Sequence, residues 1–154
     1  DKHIQHESRT SDNCWIQHDA NDIVHEASKR FSILVQMPIR NAEQYQLVYY
    51  KKGAQYKPHF DSFDYETEDG KKNWEPGGQR MISVIAYLND VEEGGETYFK
   101  FLDLKIKPEP GLAIFWNNLY SFGWPNFKTM HEALPPTKGK KYILTKWYRA
   151  WSLI

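Results

Sequence analysis

The order of hydrophobic patterns along the chain constrains the fold more than any other feature. A single helical pattern comes first, over residues 19–37, where apolar residues such as Ile23 and Phe31 recur at helical spacing. Asp19 or Asn21 could cap this helix. Short β-type stretches separated by Gly and Pro follow it. This order predicts a mainly β fold, a barrel or a double-stranded β-helix (jelly roll), with one or more supporting helices on its N-terminal side.

Local patterns place the strands. Residues 43–50 alternate and are rich in β-formers, and residues 80–89 form the continuous apolar run that is typical of a buried strand. Residues 56–61 predict a short strand, which Pro58 places at a bulge or near a sheet edge. The segment 130–151 predicts a final pair of strands forming a hairpin.

Between the second and third of these strands, residues 62–79 are polar and contain Gly and Pro. They predict a long mobile loop, and long loops in compact domains are often functional. The remaining question is whether this segment is a lid that closes over a substrate or a plain surface loop.

Size and charge limit the classes of protein. The 154 residues suffice for one domain, residues 1–154, with its own core. A formal net charge of zero argues against bulk attraction to nucleic acid or to acidic membranes, and no apolar run reaches membrane-spanning length. The first residues lack the pattern of a signal peptide, and Cys14 is the one cysteine. We therefore expect a reducing, cytoplasmic setting, with no nucleic-acid or membrane partner.

His59 and Asp61 are two residues apart in the predicted strand 56–61, so their side chains would project from the same face. His131, 72 residues further on, could supply a third ligand. Two histidines and one carboxylate with open positions form the facial triad of non-haem Fe(II) oxygenases. The alternative is a chance surface pair. The other histidines are interpreted as solvated or helix-surface residues: His3, His6, His18 and His25.

Lys141 lies ten residues after His131. A lysine inside a barrel could pair with the distal carboxylate of a metal-chelating co-substrate, because a buried lysine is costly unless it is paired. Lys138 and Lys140 are close by, and spacing alone does not select among the three.

Several motifs, taken together, resemble one family. These are "SRTS" from Ser8, "NAEQYQLVYYKKGAQYKPHFD" over residues 41–61, "YLNDVEEGGETYF" over residues 87–99, and the distal His131 followed by "GKKYILTKW". In this order they resemble the catalytic domain of prolyl 4-hydroxylases, within the Fe(II)/2-oxoglutarate dioxygenases. The resemblance covers nearly the whole chain.

The resemblance implies a role for each matching residue. His59, Asp61 and His131 would hold Fe(II), and Lys141, helped by Thr97 and Tyr50, would bind 2-oxoglutarate. The residues expected near the substrate are Tyr56, Trp147, Arg9, Ser11, Glu43 and Arg80. O₂ would be the co-substrate and ascorbate the reductant. Aromatic side chains of the 62–79 segment could stack on a proline ring: Phe63, Tyr65 and Trp74.

The chain departs from the family pattern near the substrate. Arg149 stands where family members often carry His, and "HEALPP" replaces the commoner residues after the distal ligand. The loop after Asp61 is longer and more acidic, with four carboxylates: Asp64, Glu66, Glu68 and Asp69. These departures bear on the substrate rather than on the chemistry.

Three functions remain open from the sequence. The first is 4-hydroxylation of a proline in a peptide or protein, with conversion of 2-oxoglutarate to succinate and CO₂. The second is the same chemistry on another target. The third is a jelly-roll binding module that has lost turnover, which the complete set of ligands argues against. The oligomeric state stays open.

Overall fold

Two packed β-sheets dominate the structure, a computed structural model that describes residues 8–121 and 123–153. In chain order the strands are β1 (Asp12–Ile16), β2 (Tyr45–Tyr50), β3 (Tyr56–His59), β4 (Arg80–Tyr87), β5 (Glu93–Gly94), β6 (Thr97–Phe99), β7 (Leu104–Ile106), β8 (Ala113–Asn117), β9 (His131–Ala133), β10 (Pro136–Lys138) and β11 (Lys141–Arg149). The helices are α1 (Asp22–Val35) and α2 (Glu68–Trp74), with short 3₁₀ turns at Ile39–Asn41, Lys100–Leu102 and Phe127–Thr129.

The sheets are antiparallel and their strand orders mix distant parts of the chain. The larger sheet has the order β1-β2-β11-β4-β8, and the second has the order β3-β9-β6-β7. β5 and β10 form a separate two-stranded ribbon. The prediction of a mainly β jelly roll with a supporting helix is confirmed. β3 lies at a sheet edge and its register shifts between Tyr56 and His59, as Pro58 predicts.

Alternation along the central strands gives the larger sheet two buried faces. On β4, Ile85 joins the core cluster that includes Ala133 of the second sheet, whereas its neighbour Val84 joins a second cluster with Tyr148 and Val35 of α1. The sheet is therefore covered by the second sheet on one side and by α1 on the other. This explains why residues 80–89 read as continuously apolar.

Helix α1 is shorter than the predicted 19–37. Asn21 caps it, its side chain accepting a hydrogen bond from the Val24 N–H at 3.0 Å, and Gln36 ends it in the left-handed conformation. Phe31 packs toward the sheet, but Ile23 is 82% exposed although it fits the helical period. Within the described residues, neither helix has the length and apolar character needed to cross a membrane.

One prediction about connectivity is wrong, and one strand was missed. The segment 130–151 does not form a hairpin: β9 pairs with β3 and β6, β10 pairs with β5, and β11 lies between β2 and β4. Each strand finds its partners elsewhere because the jelly roll places sequence neighbours in different sheets. Strand β1, which is mostly exposed and lacks an apolar pattern, was not predicted; it pairs with β2.

The segment 62–79 is not a plain loop. It contains α2, whose first turn is capped by Thr67, and the side-chain amide of Gln79 bonds both the N–H and the carbonyl of Phe63. Arg149 donates to the Gly78 carbonyl at 2.8 Å and also to the carbonyl of Asn73 in α2. These bonds attach the segment to the larger sheet.

Candidate metal centre and active-site cavity

His59, Asp61 and His131 come together at one end of the space between the sheets. One potential ligand atom from each lies within 4.8 Å of the others. The two histidines are direct partners in the β3–β9 pairing, which closes the gap of 72 residues between them. β3 ends at His59, so Asp61 lies in the bend that follows rather than on the strand itself. It still reaches the centre, with carboxylate oxygens 3.5 Å from His59 Nε2 and 3.9 Å from His131 Nε2.

Backbone carbonyls set the tautomer of both imidazoles. His59 Nδ1 lies 2.8 Å from the Lys57 carbonyl, and His131 Nδ1 lies 2.9 Å from the Thr129 carbonyl. A carbonyl only accepts, so each Nδ1 carries the proton and each neutral ring presents the lone pair of Nε2 to the centre. Metal-binding histidines are typically oriented in this way.

The Asp61 carboxylate is buried but kept charged. Burial by itself would raise its pKa, yet the positive charges that His131 and His59 carry when no metal is bound and both are protonated hold the pKa well below the usual range for aspartate. Ser83 donates a 2.6 Å hydrogen bond to Asp61 Oδ2 and is itself bonded to Asn118. Two neutral imidazoles and one oriented carboxylate, with room on one side, form a donor set that suits Fe(II).

Replacing Ser83 with alanine should weaken metal binding about tenfold, the lower end of the effect of removing an outer-shell partner. The change deletes the hydrogen bond that orients Asp61 and touches no ligand. Calorimetric titration of the apoprotein with Fe(II) without O₂ measures it. Thr137→Ala, an exposed hydroxyl deletion on β10, is the matched control. Equal affinities for Ser83→Ala and the control would contradict the orienting role.

Metal affinity should fall at acidic pH because protons compete for the imidazoles. Burial, opposed by Asp61, holds the pKa of His131 below its ordinary value of 6.5. Affinity should therefore be retained at neutral pH and weaken as the pH falls through the titration range of histidine. Fe(II) titrations across this range measure the effect. Loss of binding that begins well above pH 7 would contradict it.

A cavity of about 170 Å³ opens from the metal centre. This volume suits a small molecule rather than a drug-sized one. Its walls include the three candidate ligands and six of the other predicted site residues: Tyr50, Thr97, Tyr56, Trp147, Arg9 and Arg80. It is also lined by residues that the sequence analysis did not select, among them Gln46 and Thr145, whose positions on β2 and β11 repeat at two-residue spacing with Tyr50 and Trp147.

Ser11 and Glu43 contact arginines that line the cavity rather than the cavity itself. Ser11 accepts from Arg9 Nε at 2.9 Å, and Arg9 also donates to Gln46. Glu43 binds Arg80 with two hydrogen bonds of 2.7 Å and contacts Arg149 at 3.2 Å. Neither Ser11 nor Glu43 is among the residues lining the cavity.

The planar guanidinium of Arg80 is held in the cavity wall by contacts with Trp147 and Glu43. Its guanidinium carbon lies 3.8 Å from the centre of the Trp147 ring, and Glu43 holds the opposite edge. The Trp147 indole N–H is buried and has no hydrogen-bond partner within the described part of the chain. The wall therefore contains one buried N–H donor without a matching acceptor among the described residues.

Lys141 lies beneath the cavity rather than in its wall. It begins β11 opposite Tyr50, is fully buried, and donates to the Gly95 carbonyl at 2.8 Å. Burial, opposed by Glu96, lowers the pKa of Lys141 to about 7. No carboxylate of the described residues lies within ion-pair distance of its Nζ. A buried ammonium without a counter-charge is costly, so this position suits a small anion such as 2-oxoglutarate.

A second buried lysine was missed. Lys146 projects from the opposite face of β11, with its Nζ 2.7 Å from His18 Nδ1 and 3.7 Å from the centre of the Tyr45 ring. Burial lowers its pKa to about 7. His18 is therefore half-buried and bonded, and its interpretation as a solvated residue is wrong. His25 is exposed on α1, as expected, and His3 and His6 lie outside the described residues.

Comparison with known proteins agrees with a donor set that suits Fe(II). Residues 45–149 match the family described as the 2OG-Fe(II) oxygenase superfamily. The chain is 34% identical to prolyl 4-hydroxylase subunit alpha-2 of Gallus gallus over 91% of this chain and 26% of that protein. It is 30% identical to probable prolyl 4-hydroxylase 7 of Arabidopsis thaliana over 94% of this chain and 50% of that one. The chain thus spans between a quarter and a half of these relatives.

A solved structure agrees closely. The viral collagen prolyl hydroxylase of Paramecium Bursaria Chlorella virus-1, in its 2OG complex, matches with a TM-score of 0.78 and 31% identity, over 93% of this chain and 80% of that one. A prolyl-4-hydroxylase of Pseudomonas putida, at 21% identity and a TM-score of 0.62, shares the fold. With the His-Asp-His centre in place, the chain belongs to the 2OG-Fe(II) oxygenase superfamily and is related to the prolyl 4-hydroxylases.

Proposed function

We propose that this protein hydroxylates a proline in a peptide or protein at the 4-position, using Fe(II), 2-oxoglutarate and O₂. One observation carries the chemistry: a His-Asp-His centre opens into a small cavity next to a buried lysine, Lys141, which has no carboxylate within ion-pair distance in the described part of the chain. Two relatives are named as prolyl 4-hydroxylases and a third as a viral collagen prolyl hydroxylase, which supports proline as the target.

Different residues of the site would bind the metal and the co-substrate. His59, Asp61 and His131 would hold Fe(II), and Lys141 would pair with the distal carboxylate of 2-oxoglutarate, next to Tyr50 and Thr97. When bound, this pair of cofactors supplies oxidation of a C–H bond by O₂ while 2-oxoglutarate becomes succinate and CO₂. The protein contributes position and shielding from water.

Aromatic and cationic groups define where the substrate would sit. Tyr56 stacks on the His59 ring at 3.6 Å, and Trp147 forms another part of the wall. A proline ring between them would lie next to the metal. Arg80 and Arg9 present guanidinium groups that can donate to peptide carbonyls, and Glu43 and Ser11 keep these two arginines oriented.

Binding of 2-oxoglutarate should weaken as pH rises above about 7. The protonated Lys141 is the form that pairs with a carboxylate, and without the ligand its pKa is about 7. Each further pH unit should cost about tenfold in affinity, until the pKa of the complex is reached. Titration of the Fe(II)-loaded protein with 2-oxoglutarate, without O₂, measures the slope. A flat profile between about pH 7 and 9 would contradict the pairing.

The proposal is tested by succinate release from 2-oxoglutarate with Fe(II), ascorbate and O₂, with and without proline-rich peptides. Wild type is compared with His59→Ala, and with His25→Ala as an exposed control. Peptide-stimulated succinate that disappears in His59→Ala, with one oxygen added to a proline, is the expected result. Succinate without peptide stimulation would point to another target. Absence of succinate from a folded, iron-loaded protein would favour a binding module.

A further inference from the structure

A second, larger cavity lies next to the metal-centre cavity, and the two share one lining residue. It has a volume of about 610 Å³, within the range of ligand-binding pockets. Phe60, the residue between the two ligands His59 and Asp61, lines both cavities. An extended chain with one residue at the metal centre would therefore pass over Phe60 into this second cavity, which we call the flanking groove.

The flanking groove has aromatic walls that are already in place. On one side, the Phe63 ring lies 4.9 Å from the guanidinium of Arg80 and 4.7 Å from that of Arg149, and Gln79 holds the Phe63 backbone. These contacts hold the wall in position before any ligand binds. Because these side chains are already ordered, little conformational entropy would be lost on binding, and this favours affinity.

The opposite wall is built by Trp124 and Pro125. The Trp124 carbonyl accepts from the Tyr120 N–H at 2.8 Å, and Pro125 forms a bridge with Leu119, so the turn that carries the indole is tied down. Trp124 is nevertheless 70% exposed. Grooves lined by aromatic rings bind extended, proline-rich segments, and exposed tryptophans are frequent binding hot spots.

The charges in the flanking groove have one sign. Asp64 and Glu66 line it, and no lysine or arginine does. Both residues are exposed, and neither carboxylate takes part in an ion pair within residues 8–121 and 123–153. Asp64 Oδ1 accepts from the Glu66 N–H at 2.9 Å, which keeps both carboxylates on the same tight turn. A cationic side chain in the groove would find two carboxylates that take part in no ion pair among the described residues.

We propose that the flanking groove binds the part of the substrate next to the hydroxylated residue, and that it selects an extended, proline-containing segment carrying a lysine or arginine. This inference rests on the proposed function, since it assumes a peptide substrate. The aromatic walls supply affinity for the segment, and Asp64 and Glu66 supply the preference for positive charge. A glutamate at the same place in the peptide would meet like charge and bind less well.

Binding can be tested separately from turnover. Labelled proline-containing peptides that differ in one residue, Lys, Gln or Glu, scanned on both sides of the target, are titrated by fluorescence anisotropy with Fe(II)- and 2-oxoglutarate-loaded protein without O₂. At the best position the Lys peptide should bind about two- to tenfold more tightly than the Glu peptide. The difference should shrink at about 1 M salt, where screening acts within about 3 Å.

Three variants separate the contributions. Asp64→Asn combined with Glu66→Gln should remove the charge preference. Glu93→Gln combined with Glu109→Gln, the same charge change on exposed residues outside both cavities, should keep it. Trp124→Ala should weaken all three peptides alike, by about tenfold or more. Equal affinities at every scanned position, or a preference that survives Asp64→Asn with Glu66→Gln, would overturn the inference.

Mass spectrometry of the same peptides after incubation with O₂ distinguishes this inference from the proposed function. A charge preference in binding without proline hydroxylation would keep the flanking groove and reject the proposed reaction. Proline hydroxylation with no charge preference in binding would keep the proposed reaction and reject the role of the flanking groove. If no peptide binds and none is hydroxylated, both proposals are rejected.

Discussion

His131→Ala is expected to reduce metal-dependent turnover by more than about a hundredfold, beyond the usual effect of outer-shell changes. His131 is 5% exposed and sits directly across from His59 in the β3–β9 pairing. Two protein ligands would remain, and no other His, Cys, Asp or Glu of residues 8–121 and 123–153 belongs to this cluster. Fe(II) affinity should fall along with succinate formation.

The measurement pairs calorimetric Fe(II) titration without O₂ with succinate assays of the same samples. His25→Ala controls for loss of a histidine, because His25 is exposed on α1. Circular dichroism of both apoproteins checks the fold, since His131 also packs against the rings of Phe99 and Trp116. His131→Gln, which fills more of this space, guards against a packing defect. Unchanged Fe(II) affinity in a folded variant would remove His131 from the metal centre.

Lys141→Ala is expected to raise the 2-oxoglutarate requirement by about thirtyfold to several thousandfold. Removing one partner of a buried charge pair costs about 2–5 kcal/mol, and each 1.4 kcal/mol is tenfold in affinity. Lys141 is fully buried under the cavity and has no other anion in reach among the described residues, so the ligand would supply its counter-charge. Fe(II) affinity should stay close to that of the wild type.

Binding of 2-oxoglutarate to the Fe(II)-loaded protein without O₂ gives this number directly. Lys141→Met keeps most of the side-chain volume and separates loss of charge from loss of packing. Lys140→Ala is the matched control, since Lys140 is exposed and immediately precedes β11 in the chain. A 2-oxoglutarate affinity that is the same in Lys141→Met and wild type would show that the anion does not use Lys141.

Local pattern predicted the elements that depend on local physics. β2 and β4 follow from alternation and from a continuous apolar run, and the cap of α1 follows from Asn21. α2 was missed inside a polar segment, although Thr67 followed by Glu68 and Asp69 is the start signal of a helix. β1 carried no apolar signal, because its hydrogen bonds with β2 rather than burial define it.

Strand partners could not be predicted, because they depend on contacts between residues far apart in the chain. The segment 130–151 was predicted as one pair of strands, yet it contains three strands, and all of them pair with other parts of the chain. Arg149 likewise read as a substitution near the substrate. In the structure it anchors α2 and contacts Glu43, a role that requires segments more than 70 residues apart to meet.

The sequence by itself predicted the three candidate ligands and the mainly β fold: the fold follows from the hydrophobic patterns, and the full ligand set from the motifs that resemble the family. The tertiary structure decided which lysine lies on the side of β11 that faces the cavity. Alternation on β11 puts Lys141, Thr145 and Trp147 on the cavity side and Lys146 on the side of α1. A two-residue period tells which residues share a face, but only packing against another sheet tells which face encloses the site.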